Sequence, residues 1–484
     1  MKIIFFKQLY PSKSDIIAFV SGLLVIVAVI LSTSLTVIDY NNKRIIEISI
    51  IITILFFSTF IPAKYTKKNT KLKLPYLVLF FFGIVSSLVA NSPKHAIIEL
   101  ITFLGLSIVV LQLLPAWKIK PFCIFVALLL IICIGIIEVV FFTSYLAYIV
   151  SSNNFSIHEF FPAFANVRFF NQYQIWTMPY VTFILVQKHP ILKQYNTLLW
   201  SIGVAWWLIF FSTGSRGAVV AELSAIAIAW YFFRKQLKDF ALITAKLSIF
   251  GFVGYQLLFN LLPNILETDT SALFKSLELR NTTSDRFFLW TKASQFIYQN
   301  PLFGIGPMHY AWSADPNLSS LDKITHPHNS ILQWGAEWGL CSLTIIIMLV
   351  FRAFKKWFNK FNSSSLGNID KNYSYIVIAT TISVISATIY SLFSGVIVMP
   401  ASQVTALLPI SLMIFLYKPG ATHFLANSGL FYRSFVIFMA ILYFYLLIPE
   451  IINVLFKSGD VIEIYQHHPR FWLDGNIVSN PGPK

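Results

Sequence analysis

Charge and cysteine are what this chain has least of. Asp, Glu, Lys and Arg make up 12% of its 484 residues, against 57% hydrophobic residues. So little charge excludes a solvated surface of ordinary extent, and the mean hydropathy of +0.71 points to a protein that sits in lipid. There are three cysteines, Cys123, Cys133 and Cys341. All lie within or at the edge of apolar segments and have no ligand spacing, so they read as core residues rather than a metal or disulfide framework. No GxxxxGK[ST] phosphate loop is present, which argues against ATP-driven work, and no HExxH or other zinc spacing occurs. Gly304-Ile305-Gly306 is too short for a dinucleotide fingerprint. These absences leave no cofactor and no metal to expect.

What is abundant is apolar sequence in runs of bilayer length. About thirteen runs of roughly 17–25 residues match the hydrocarbon thickness of a membrane. They lie near 15–37, 45–63, 74–91, 96–116, 121–142, 173–187, 196–212, 217–233, 240–262, 330–351, 373–395, 402–417 and 433–456. Only helices satisfy their own backbone in lipid without closing a barrel, so the expected fold is an all-α polytopic integral membrane protein. The net charge of +16 would suggest nucleic acid in a soluble protein. Here the cations fall between spans, where they orient the chain and suit anionic lipid head groups, so no nucleic-acid partner is expected.

Alternate connections differ in charge. Lys64, Lys67, Lys68, Lys71 and Lys73 open one set, followed by Lys118 and Lys120, Lys188 and Lys193, Arg234, Lys235 and Lys238, and Arg352, Lys355, Lys356 and Lys360. By the positive-inside rule this set is cytoplasmic. The other set is poor in cations and holds the long connections 143–172 and 263–329. The expectation is one transmembrane domain over 1–456, with 263–329 as its large outer loop. A short outer tail follows at 457–484, and the first span acts as an uncleaved signal-anchor.

The chemistry concentrates in Thr325-His326-Pro327-His328-Asn329-Ser330. Titratable groups at the edge of a span are costly and functional by default, and a histidine there handles protons near neutral pH. Asn329, Gln333 and Glu337 follow at spacings of four and share one helical face. The outer arginines are few: Arg168, Arg216, Arg280 and Arg286. Arg168 precedes a span within 166–174. Arg216 sits in the turn Ser212-Thr213-Gly214-Ser215-Arg216-Gly217, where small residues let backbone amides approach an anion. Arg286 sits in Asp285-Arg286-Phe287-Phe288-Leu289-Trp290. Guanidinium forks pair with phosphate oxygens, and such a cluster at the interface suits a lipid-linked diphosphate. The bland alternative is snorkelling or local ion pairing. A neutral His328 can take a proton from an attacking hydroxyl. His326 is a partner, a substrate contact or a loop histidine.

These motifs resemble those of the O-antigen ligase-like superfamily of bacterial glycan transferases. This group includes O-antigen ligases, protein O-oligosaccharyltransferases of the pilin-glycosylating type and, more distantly, O-antigen polymerases. Ser212–Gly217 resembles its first arginine motif. Asp285–Trp290 with Asn300–Gly306 resembles its second, and His326–Asn329 with Gln333, Glu337 and Gly339 its histidine motif.

The resemblance implies an oligosaccharide donor on undecaprenyl diphosphate and metal-free transfer at the periplasmic face of the bacterial inner membrane. It implies His328, Arg286 and Arg216 as catalytic groups. Arg168, His326, Asn329, Gln333, Glu337 and Arg280 are expected to contact substrate. A tail with Tyr465–Gly475 is similar to the periplasmic extensions of protein-transferring members, so a pilin-like acceptor is expected ahead of lipid A-core or a growing glycan. The non-enzymatic alternative is a transporter of lipid-linked glycan, which would place polar groups nearer the bilayer midplane.

Overall fold

A computed structural model describes residues 13–34, 40–60, 74–151, 157–164, 167–187, 194–267, 283–313, 324–419 and 430–456. These residues are all-helical, with no strand among them. The long helices are α1 (Lys13–Thr33), α2 (Tyr40–Ser58), α3 (Leu74–Leu88), α4 (Pro93–Leu113), α5 (Lys120–Ser151), α6 (Val167–Val186), α7 (Asn196–Ser212), α8 (Arg216–Phe233) and α9 (Lys238–Gln256). They continue with α10 (Thr283–Gln299), α11 (Ser330–Lys360), α12 (Lys371–Tyr390), α13 (Pro400–Tyr417) and α14 (Leu430–Phe456). A helix falls on every apolar run read from the sequence. Among the described residues, seven helical stretches are long and apolar enough to cross a membrane, one of them continuous from Arg216 to Ile265. The chain is therefore a polytopic membrane protein by composition and fold.

Helix ends follow local chemistry. The Asn329 side chain caps α11, and Asp370 caps α12 by accepting from the Asn372 and Tyr373 amides, in each case satisfying amides that have no partner within the helix. Pro93 and Pro400 occupy the first turns of α4 and α13, where a missing N–H costs nothing. The sequence run 373–395 is shorter as a helix than its hydropathy implies. α12 stops at Tyr390, and 391–399 forms a succession of turns. Ser391, Ser394 and Gly395 are the polar and small residues that favour the exit.

α12 packs between α6 and α8, α7 packs against α9, and α10 lies on α11, which also contacts α3. One apolar cluster joins Phe141, Phe170, Tyr173, Trp206 and Ala387, and another joins Trp117, Phe233, Leu237, Trp357, Phe361 and Tyr375. The second cluster gathers the basic connections. Lys360 donates there to the Leu416 carbonyl, and Gly367 lies against Gln236. At the other end of α12, about 30 Å away for twenty residues at 1.5 Å each, the His326–Ser330 segment meets the 391–399 turns, and Ser215 reaches Tyr390. Among the described residues, the basic connections around 117–120, 233–238 and 357–361 thus gather at one end of the bundle and the His326–Ser330 segment at the other.

Candidate active site

His328 stands at the junction of a loop and α11. Its backbone is left-handed, with φ 52°, a conformation that costs a non-glycine residue roughly 1–2 kcal/mol and persists where the surroundings over-determine it. Five contacts do so here. Asn329 Oδ1 accepts from the Ile331 and Leu332 amides at 3.0 and 3.1 Å. Ser330 N–H donates to the Ser391 carbonyl at 2.9 Å, and the two serine hydroxyls lie 2.8 Å apart. Trp290 Nε1 donates to the Pro327 carbonyl at 3.1 Å. That last bond fixes α10, and with it Arg286 one turn earlier, against the histidine motif.

His326 is buried, with its ring 4.1 Å from that of His328 at 63°. It rests on the backbone at Gly395, where a Cβ would come within 2.6 Å of His326 Nε2. The His328 ring is half-buried, and its enclosed Nδ1 has no hydrogen-bond partner among the described residues. Burial, then the charges of Arg168 and Arg286, push its pKa down to about 3. The imidazole is therefore neutral at physiological pH and able to accept a proton.

Arg168 and Arg286, each in the first turn of its helix and half-buried, are the arginines whose charges act on His328. The same two charges bear on the Tyr390 phenol, whose hydroxyl lies 3.2 Å from Ser215 Oγ. Arg216 is the first residue of α8 and is exposed. It joins the site through its neighbours. Gly214 turns the chain at φ 61°, and a Cβ on Gly217 would come within 2.9 Å of Phe393. Arg280 lies outside the described residues, as do Asn166 and the tail 457–484.

The polar stripe of α11 faces inward. Glu337 is buried, accepting from the Tyr310 amide at 3.1 Å and from Gln333 Nε2 at 3.4 Å. The helix breaks just beyond it, because Gly339 adopts φ 79°, ψ 166°. The break frees two carbonyls, and the Asn300–Gly306 loop takes them up. Ile305 N–H donates to the Ala336 carbonyl at 2.9 Å and Gly306 N–H to the Glu337 carbonyl at 3.0 Å, while the Leu340 amide turns to the Pro301 carbonyl at 2.8 Å. Ser86 Oγ adds a donor to the Glu337 carbonyl at 2.9 Å. Gly304 and Gly339 have no room for a Cβ, since each would meet backbone of the other segment. The glycines of the second motif thus brace the helix of the histidine motif.

Sequence reasoning missed Tyr390, the serines of 391–394, and His309. The His309 ring Nε2 accepts from the Ser92 amide at 2.9 Å and its Nδ1 meets the Pro307 carbonyl at 2.9 Å. The available signal was Ser391, Ser394 and Gly395, small or polar residues at the end of an apolar span. Asn171 and Gln172, within the polar segment after Arg168, tie α6 to Thr213 at 3.1 Å and to Ser394 at 2.9 Å. Among the described residues no group of three His, Cys, Asp or Glu side chains is placed to hold a metal ion.

Residues 200–347 match the family model described as O-Antigen ligase. The match spans Arg216, Arg286, His328, Gln333 and Glu337, and leaves Arg168 and Tyr390 outside. A search of curated proteins gives no match. The likeness to the O-Antigen ligase family covers residues 200–347, less than a third of the chain.

Proposed function

We propose that this protein transfers an oligosaccharide from undecaprenyl diphosphate to a Ser or Thr hydroxyl of a pilin-like protein, at the periplasmic face of the bacterial inner membrane. The observation that carries the reading is the Trp290–Pro327 bond, which locks the Arg286 helix onto a neutral His328 already subject to the charges of Arg168 and Arg286. Opposite ends for the basic connections and the site support an outward-facing centre. About thirteen spans and a C-terminal tail on the outer side belong to this proposal. The aromatic and basic sequence of Tyr465–Gly475 supports a protein acceptor.

In this reading the acceptor oxygen bonds to the anomeric carbon as the bond from that carbon to the diphosphate oxygen breaks. His328 takes the hydroxyl proton. Arg286 and Arg168, with the exposed Arg216, meet the charge that grows on the leaving diphosphate. A pKa near 3 makes the free enzyme's His328 a weak base. The donor's anionic phosphates offset the two arginine charges and raise its basicity when the reaction needs it. His326 supports the His328 ring, while Asn329, Gln333 and Glu337 act through the shape of α11 rather than by touching the sugar. The step uses no metal, so a chelator is expected to leave transfer unchanged.

The test is co-expression in cells that build an undecaprenyl-linked glycan but lack a ligase, with pilin-like protein and lipopolysaccharide checked for a glycan-dependent mobility shift and His328→Ala as control. A shift on protein alone supports the proposal. A shift on lipopolysaccharide makes the protein an O-antigen ligase, and longer glycans on the carrier make it a polymerase. No change in any of the three returns the transporter reading.

A further inference from the structure

A second polar centre lies outside the described site. Arg44, near the start of α2, is buried beside Lys43 and Glu47, before the apolar remainder of the helix. Its Nη1 donates to Glu47 Oε2 at 2.6 Å and to Gln403 Oε1 at 2.9 Å, and its Nη2 donates to the Val398 carbonyl at 2.8 Å. Gln403 Nε2 in turn donates to the Ile397 carbonyl at 2.9 Å. Two side chains from separate helices therefore grip consecutive carbonyls of the turn between α12 and α13. Burying an ion pair costs more than it returns unless its geometry is good and further hydrogen bonds are made. Here the further bonds go to Gln403 and, through both side chains, to one short stretch of backbone.

That stretch is the floor of the histidine pair. The 391–399 segment bends back on itself, with the Val398 and Met399 amides both donating to the Gly395 carbonyl at 3.1 Å. Gly395 lies directly beneath His326, Ser391 holds the first residue of α11, and Ser394 accepts from Gln172 on the Arg168 helix. A shift of the Ile397–Val398 carbonyls reaches His326 through Gly395 and His328 through the paired rings. None of these contacts brings Arg44 to the reacting atoms.

We propose that Arg44, with Gln403, is a positioning residue for glycan transfer, fixing the 395–399 turn on which His326 rests beside His328. The inference rests on the reading of His328 as the base. Lysine retains a cation for Glu47 but cannot grip the Val398 carbonyl and Gln403 together. Gln403→Met removes one neutral hydrogen bond, to the Ile397 carbonyl, and one from the Arg44 guanidinium, and leaves Arg44 its bonds to Glu47 and the Val398 carbonyl.

The experiment compares wild type, Arg44→Lys, Gln403→Met and His328→Ala as purified full-length protein in lipid. It measures kcat and KM for a polyprenyl-diphosphate-linked oligosaccharide and the thermal midpoint. The expected result is a kcat about tenfold lower in Arg44→Lys and about threefold lower in Gln403→Met, with KM and the thermal midpoint close to wild type in Gln403→Met. A kcat within twofold of wild type in both variants, or losses that track a falling midpoint in both, overturns the proposal. Near wild-type turnover in His328→Ala would instead sink the base assignment, whatever the other two variants do.

Discussion

Between Gln333 and Trp338, α11 is almost wholly buried, and its Ala336 and Glu337 carbonyls bond to another segment of the chain. Between Leu340 and Phe351 the same helix exposes Leu340, Ile347, Met348, Val350 and Phe351, and only the Leu340 amide is shown bonding outside the helix. Gly339 separates the two. The first half spends its backbone groups on holding His328, the 300–306 loop and α3 together, while the second presents an apolar face suited to lipid. Hydropathy reads the whole as one span. The difference shows that a glycine in a left-handed conformation can divide one apolar helix into a site-building part and a membrane part.

The predictions break or sharpen that division. His328→Ala removes the base from the first half and is expected to lower transfer about 10²–10⁴-fold, with binding of the lipid-linked donor retained; turnover assays and donor titration check both. Arg286→Lys keeps the charge but loses the fork, and transfer is expected to fall about a hundredfold. Equal activity would make Arg286 a peripheral ion-pairing residue. Gly339→Ala forces a left-handed alanine against the Leu302 carbonyl. A destabilisation on the order of 1–3 kcal/mol is expected, read as a lowered thermal midpoint together with reduced transfer. Trp290→Phe removes the donor to Pro327, a bond worth about 1 kcal/mol, and should cost several-fold in kcat with little change in KM. Phe351→Leu lies in the exposed half and should stay within about 0.5 kcal/mol in stability and unchanged in transfer. A large effect there would dissolve the distinction.

Much of this was legible in the sequence. The apolar runs become helices because each is long enough to close its own backbone bonds, and His326–Asn329 announces itself as a polar loop entering an apolar helix. The pairing of Arg286 with His328 follows from motifs, but its agent, Trp290, is an ordinary interfacial aromatic by composition. The exchange of carbonyl partners between Ala336–Glu337 and Ile305–Gly306 was not legible, because it joins residues about thirty apart and depends on Gly339 leaving the helix. The bonds that the Glu337 carboxylate accepts from the Tyr310 amide and Gln333 were not legible either, since spacing alone does not bring Tyr310 to α11. Arg44 gave no motif at all, and its meaning comes only from the loop that folds down to meet it. Arg168 and Arg216 exchange prominence for a similar reason, since burial and the field at His328 are set by the packing of α6 beside α12.

The pH dependence of kcat/KM tests the central claim most directly, since it reports the protonation of the free enzyme. His328 must be neutral to act, and burial with Arg168 and Arg286 holds its pKa near 3, below the ordinary 6.5. The account predicts no loss of kcat/KM as pH falls through 6.5, with the acid limb lying well below it. Arg168→Gln should move that limb upward toward 6.5, because one of the charges opposing protonation is gone. A wild-type acid limb near 6.5 that stays in place in Arg168→Gln would contradict the account.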